Sequence, residues 1–347
     1  MSRTETRYVP PSKNSSAMAG RNSCAEARIG PTNTPKRKTM PATTATRRAL
    51  SERHVRMVLF ISSGILAAPK RVARLGMVRK SLTALVVLSL AAPAAAHEVW
   101  IEPLVFRAVP SERIAAHIKN GQYFKGNQFP YIPAETVMAG IVDAKGKRPL
   151  TGAAGDEPAI DEKVRTPGLQ VLFYESVPER LVFAEAGKFR DYLFEKGLDH
   201  IWRSHQARGL GETGFTEVYT RCAKALVLRG SGKKADRQDA PSGMPLEWVA
   251  KADPFALSPG ANAVLPVQLL WRGKPLAQAQ ATIFRRDSTD AVQTVKLHTD
   301  ANGIVLVPVV SNGSYLIDSV HMIPSTAEPD VPWRSYWASL TFRIGPD

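Results

Sequence analysis

From His97 onward the chain alternates apolar and polar side chains with a period of two, interrupted once by a stretch of helical period. Glu98-Val99-Trp100-Ile101-Glu102 alternates, residues 113–118 continue, and residues 136–142 run into a turn at Asp143-Ala144-Lys145-Gly146. Residues 169–175 add a short apolar strand. The period then changes. Residues 184–195 place Phe189, Tyr192 and Leu193 at helical spacing and stop at Gly197, and residues 198–206 predict a second short helix. Strand character returns over 218–229, followed by a polar run, 230–239, with no apolar period, which reads as a mobile surface loop. From about Asp253 the pattern is all strand: 264–271, 279–285, 293–298, 304–310, 314–321 and 335–343, with turns at Arg272-Gly273-Lys274-Pro275, Asp300-Ala301-Asn302-Gly303 and Asn312-Gly313. The expected fold is mainly β: two β-sandwich-like modules, 97–252 and 253–347, with a small helical insertion in the first.

Charge changes the picture upstream. The whole chain carries 46 Lys/Arg and 31 Asp/Glu, a balance that would suit a nucleic-acid binder. Residues 1–96 hold 17 of those bases and 3 of the acids, whereas 97–347 are near neutral. The positive charge therefore belongs to the leader, and a nucleic-acid role is not expected. Met77-Val78-Arg79-Lys80, the apolar run 81–92 and Ala94-Ala95-Ala96 form the basic start, apolar centre and small-residue cleavage site of a secretory signal peptide, 77–96. Cleavage after Ala96 would deliver the protein to the periplasm with no stable membrane insertion. Residues 1–76 are expected to be a disordered basic extension, and a start at Met77 is the preferred reading, with an ordered basic arm as the competing one. The apolar residues 57–69 are too few to span a bilayer.

After cleavage only Cys222 remains, so no intrachain disulfide can form and packing must carry the stability. Cys222 lies in an apolar strand with no histidine nearby in sequence, which suits a buried small residue better than a thiol nucleophile. There is no Gly-x-Ser-x-Gly elbow, phosphate loop or His-Glu-x-x-His, and no paired-carboxylate spacing. The sequence gives no case for a hydrolase, and the protein is not expected to be an enzyme. The aromatic-rich tail 333–342 could form a carbohydrate-binding stripe, but alternation splits its rings between two faces, as expected of a terminal strand docked on a core.

Processing itself creates the most specific chemistry, because it leaves His97 with a free α-amine beside its imidazole. Those two nitrogens can chelate one copper, nickel, cobalt or zinc ion, with copper, nickel or cobalt the expected metals, and the amine titrates near neutrality. A further ligand could come from His321, at the end of an otherwise apolar strand, or from His117, on a strand of the same module as His97. Met322 points the opposite way from His321 on strand alternation. His200 and His205 fall on different faces of a helix and do not suit a shared site. His298, before a turn, reads as solvent-facing.

Several segments together carry a family likeness: His97-Glu98-Val99-Trp100-Ile101-Glu102-Pro103, Tyr123-Phe124-Lys125-Gly126, residues 193–199 and 217–227, Thr299-Asp300-Ala301-Asn302-Gly303, Val320-His321-Met322 and residues 333–342. In this order they resemble a secreted family of unknown function often labelled NikM-like, the periplasmic component of a nickel or cobalt uptake system. The match runs from His97 to about Phe342. The resemblance implies that His97, His321 and Met322 occupy the family's N-terminal histidine and late His-Met positions, and that the partner is a membrane metal transporter or an outer-membrane receptor. Cys222 stands where the family often has Tyr or Phe. The second module also looks like the transthyretin-like or carboxypeptidase-regulatory sandwiches, which support interaction more often than catalysis. The reading is an exported transition-metal-binding protein. Its alternatives are a copper-dependent oxidative enzyme with an N-terminal histidine brace, and a non-catalytic adaptor without metal.

Overall fold

A computed structural model describes residues 97–328 and 330–347. Residues 1–76 and the expected signal peptide 77–96 lie outside the described residues. The described fold begins at His97, and its first strand follows directly: β1 (Glu98–Pro103), then β2 (Arg107–Ala108), β3 (Ile114–Gln122), β4 (Lys125–Phe129), β5 (Thr136–Asp143), β6 (Gly146–Pro149), β7 (Ile160–Glu162), β8 (Gly168–Ser176) and β9 (Glu179–Phe183). Two helices follow, α1 (Ala186–Glu195) and α2 (Asp199–Ala207), where the apolar period lengthens. The long strand β10 (Phe215–Arg229) and β11 (Leu246–Ala250) complete the first half. The second half is β12 (Val264–Trp271), β13 (Lys274–Pro275), β14 (Gln280–Arg286), β15 (Val292–His298), β16 (Ile304–Pro308), β17 (Gly313–Pro324) and β18 (Trp333–Ile344).

A ten-stranded mixed sheet forms the middle layer, with the path β15-β14-β17-β18-β10-β8-β5-β6 and with β2 and β9 also paired to β10. Side-chain alternation along it separates two cores. One face gives Leu226, Leu228, Ile317, Leu340 and Phe342 to a core shared with Trp248, Leu265, Val267 and Leu269 of the small sheet β11-β12-β13-β16. The other gives Leu172, Ala223, Ala225 and Val227 to a core shared with Ile101, Ile114 and Ile118 of the sheet β1-β3-β4-β7. On that same face Trp333 and Trp337 pack under α1 and α2, against Phe189, Leu193 and Ile201. The protein is mainly β, two sandwich-like stacks with a helical insertion in the first.

The 252/253 division does not mark a gap between sheets. β10, from the first half, pairs in parallel with β18, from the second, over Glu217↔Trp333 to Ala225↔Thr341. The terminal strand does split its rings as alternation requires, Trp333 and Trp337 toward the helices and Tyr336 toward the opposite core.

The β3–β4 hairpin was not legible from the period. Tyr123 and Phe124 both take positive φ, 52° and 60°, as a tight two-residue hairpin turn demands. Aromatic residues rarely accept that conformation. Phe124 is held there by complete burial: its ring meets Trp100 edge-on at 5.6 Å, and the Arg286 guanidinium lies 4.3 Å over it. Gly121 and Gly126 face each other across the hairpin so closely that a Cβ on either would collide with the opposite backbone.

Candidate functional site

The start of β1 is fixed by buried charge. Lys196, just past the end of α1, donates to Glu98 Oε1 at 2.6 Å and to Asp318 Oδ2 on β17 at 3.1 Å, and its ammonium sits 4.9 Å over the Trp337 ring. All three side chains are at most 4% exposed. Burial alone would depress the Lys196 ammonium, but Asp318 and Glu98 outweigh it and hold it above the usual lysine value. Burial, with the Asp318 charge added, pushes the Glu98 carboxyl up. Glu98 Oε2 is buried without a partner. Two carboxylates on one ammonium thus clamp the residue that follows His97.

Arg221 on β10 supplies the second hold. Its Nη1 donates to the His97 carbonyl, while its guanidinium lies 4.8 Å from the Tyr219 ring and 5.2 Å from the Trp337 ring. A planar guanidinium against two aromatic rings has little freedom, so His97 is positioned through its backbone carbonyl. Among the described residues, no side chain bonds the His97 ring. Arg221 also lines a cleft of about 480 Å³ with Val99, Asn120, Glu135, Glu179 and Tyr219. In it the Tyr219 hydroxyl donates to Glu179 Oε2 at 2.7 Å; burial and that bond push the Tyr219 phenol up to about 12, so it stays protonated.

Two strand positions farther along the same face, Glu217 is fully buried. Tyr192 donates to its Oε1 at 3.2 Å, Ser335 donates to the same oxygen, and Trp337 Nε1 donates to Ser335 Oγ at 3.1 Å. Burial lifts its carboxyl to about 7, despite the hydrogen bonds from Ser335 and Tyr192 that favour the ionised form.

The histidines singled out in the sequence are not gathered on one ion. His117 on β3 stands opposite Glu102, five residues along the strand from His97, on the order of 16 Å at about 3.3 Å per residue. Its Nδ1 is buried without a partner. The carboxylate opposite is already used by Trp100 at 2.8 Å, Arg286 at 2.7 Å and Lys119 at 3.4 Å. His321 pairs with Tyr336 across β17 and β18 and lies edge-on to Trp271 at 4.7 Å, on the face of the middle sheet away from His97. Burial, and then the charges of His200 and Arg272, lower its pKa to about 4. Met322 turns the other way, into the core under the helices. His205 is a structural residue: Trp333 Nε1 donates to its Nδ1 at 3.0 Å, leaving Nε2–H for the Gly211 carbonyl at 3.1 Å. Cys222 is buried, and burial pushes its thiol above the ordinary value. Among the described residues, no group of three or more His, Cys, Asp and Glu side chains is placed to hold a metal.

Sequence reasoning missed Arg221, Lys196 and Asp318. Only the charged positions inside otherwise apolar strands hint at them, because a lone charge there requires a buried partner.

The fold and these sites define a mainly β, sandwich-like protein in which no described helix is long and apolar enough to cross a membrane. A family model described as a domain of unknown function, DUF4198, matches residues 94–323, and the chain belongs to that family. No curated protein matches it. Among solved structures it is similar to the D0-D1 domain of intimin, at 12% identity over 70% of this chain and 96% of that one, with a TM-score of 0.18. It is also similar to a tetra-tandem repeat in the extending region of a large adhesion protein, at 12% identity over 71% of this chain and 49% of that one, with a TM-score of 0.17.

Proposed function

We propose that the chain is an exported, periplasmic protein that binds a transition-metal ion, nickel, cobalt or copper, through the α-amine and imidazole of a processed His97, and hands it to an uptake system in the membrane. The observation that carries this reading is the double hold on the N-terminal residue. Arg221 bonds its carbonyl and the Glu98–Lys196–Asp318 cluster anchors the next residue, while its ring is left without a side-chain bond among the described residues. A backbone held this firmly would present both nitrogens to an ion at little entropic cost. The amine and imidazole suit copper, nickel and cobalt alike. The resemblance to the NikM-like secreted proteins supports transport as the use of such a site.

A two-nitrogen chelate leaves coordination positions open to water or to a receiving protein, which favours transfer over storage. The histidine-brace oxidase alternative needs a second imidazole on the same ion, and His117 and His321 stand on other parts of the fold. Glu135 and Glu179 line the cleft that Arg221 borders.

The test is calorimetric titration of Cu(II) and Ni(II) into protein beginning at His97, into the same protein with one added Met before His97, and into His97→Ala. Both changes are expected to weaken binding by at least about 10- to 100-fold, the scale reached even by partners of a ligand, with the melting curve kept. Unchanged affinity in either would sink the proposal. Mass spectrometry of the exported protein is expected to find His97 at its N-terminus.

A further inference from the structure

The polar run 230–239 has no part in the chemistry at His97, yet the structure builds it in tightly. Gly232, at φ +56°, sits over Gly168 so closely that a Cβ on Gly232 would lie 2.6 Å from the Gly168 Cα, which only glycine permits. Lys234–Arg237 forms a single 3-10 turn. At the far end, the fully buried Asp239 side chain accepts from Lys224 at 3.0 Å and from the Ala250 amide at 2.8 Å. Lys224 in turn donates to the carbonyls of Ala240 at 3.1 Å and Trp248 at 2.9 Å. The run expected to be a mobile loop is therefore tied down at both ends.

Between this run and residues 250–257 lies a cavity of about 610 Å³, within the size range of small-molecule sites. Ala250, Ala252, Ala256 and Leu257 supply apolar wall, and Lys234, Arg237 and Lys251 supply charge. The two carboxylates in the lining are already committed. Asp239 is turned to Lys224. Asp253 Oδ2 takes Arg237 Nη2 at 2.7 Å, and its Oδ1 accepts from the Phe255 amide at 2.9 Å. Among the described residues Lys234 and Lys251 have no carboxylate partner. Arg237 is 22% exposed with Asp253 on one Nη, and its Nε is closed to the open space.

We infer that this cavity is a binding site for a small organic carboxylate with a short apolar body. The exposed part of the Arg237 side chain, with Lys234 and Lys251 at the mouth, holds the carboxylate by charge, and the apolar part lies against Ala250, Ala252, Ala256 and Leu257. A carboxylate fits better than a bare inorganic anion because half of the wall offers an anion nothing. The cavity belongs to the β11 side of the middle sheet and does not depend on the reading of His97.

Titration calorimetry of the purified protein with hexanoate, hexan-1-ol and inorganic phosphate tests it. Hexanoate is expected to bind saturably with Kd of about 1 mM or below, as its size allows, and hexan-1-ol and phosphate at least about tenfold more weakly, since each lacks one half of the recognition. Arg237→Gln is expected to lose the hexanoate signal. Because that variant also releases Asp253, the double variant Lys234→Gln/Lys251→Gln, changed only at exposed side chains, is run beside it. It is expected to weaken hexanoate binding and flatten its salt dependence. Absence of saturable hexanoate binding overturns the inference, as does hexanoate affinity unchanged in both variants. Phosphate bound as tightly as hexanoate would overturn the assignment to an organic carboxylate.

Discussion

Replacing Lys196 by methionine removes the one ammonium that Glu98 and Asp318 share and leaves the apolar stem against Trp337 in place. The three side chains are 4%, 3% and 2% exposed, so water cannot take over the lost role. Breaking a buried ion pair by deleting one partner costs about 3–5 kcal/mol. The sign of the pH effect follows from proton binding. With the lysine gone, the two facing carboxyls of the folded state hold a proton that the unfolded chain releases above its ordinary carboxylate range. A raised carboxyl contributes stability that is present at low pH and lost as pH rises, at about 1.4 kcal/mol per pH unit for each extra proton held. Because Glu98 is already raised in the parent, the gap between Lys196→Met and the parent should widen only by the further rise that loss of the ammonium causes, up to about 3 kcal/mol between pH 5.5 and 7.5. Urea unfolding of both proteins at the two pH values measures it. Adding Glu98→Gln and Asp318→Asn to Lys196→Met should remove the pH dependence of the gap. A loss below about 1 kcal/mol at pH 7.5, or a gap that does not change with pH, would refute the account of the cluster.

Glu217 titrates near 7 in the folded state, above its ordinary value, so its contribution is complete at low pH and falls away as pH rises to about 7. Glu217→Gln should gain on the parent between pH 5 and 8, by up to about 3 kcal/mol, in denaturant unfolding; parallel pH profiles would contradict this. His321 shows the opposite sign. Its pKa is lowered to about 4, so the stability it confers is present above the ordinary histidine value and lost on acidification toward 4. His321→Phe should make thermal melts less sensitive to acid between pH 6.5 and 4.5 without altering Cu(II) affinity, and a loss of metal binding in that variant would return His321 to the site.

Much of the fold was legible because burial here follows simple periods. The alternation at Val99 and Ile101, the helical spacing of Phe189, Tyr192 and Leu193, and the split of Trp333, Tyr336 and Trp337 each appear in the structure as the patterns require. What the periods could not convey is long-range pairing. Nothing local in residues 217–225 says that their neighbour is a strand more than a hundred residues later, running parallel. The hairpin at Tyr123 and Phe124 was hidden for a related reason. Its conformation is imposed by a pocket made of Trp100, Phe284, Leu316 and Arg286, and no turn-favouring residue type announces it. The candidate site was legible only at His97. Arg221, Lys196 and Asp318 reach it from β10, from the end of α1 and from β17, and a list of histidines by type cannot reveal which of them face the same side of a sheet.

The tether on β1 also orders events in time. Lys196 follows Glu98 by 98 residues, and Asp318 lies a further 122 along the chain, while β18, which borders β10 in the middle sheet, comes last of all the strands. A polypeptide made amino end first exposes β1 long before the residues that hold it. The clamp on residue 98 could close only after almost the whole chain had been delivered. A chain truncated before β17 would therefore leave Glu98 on an unanchored strand.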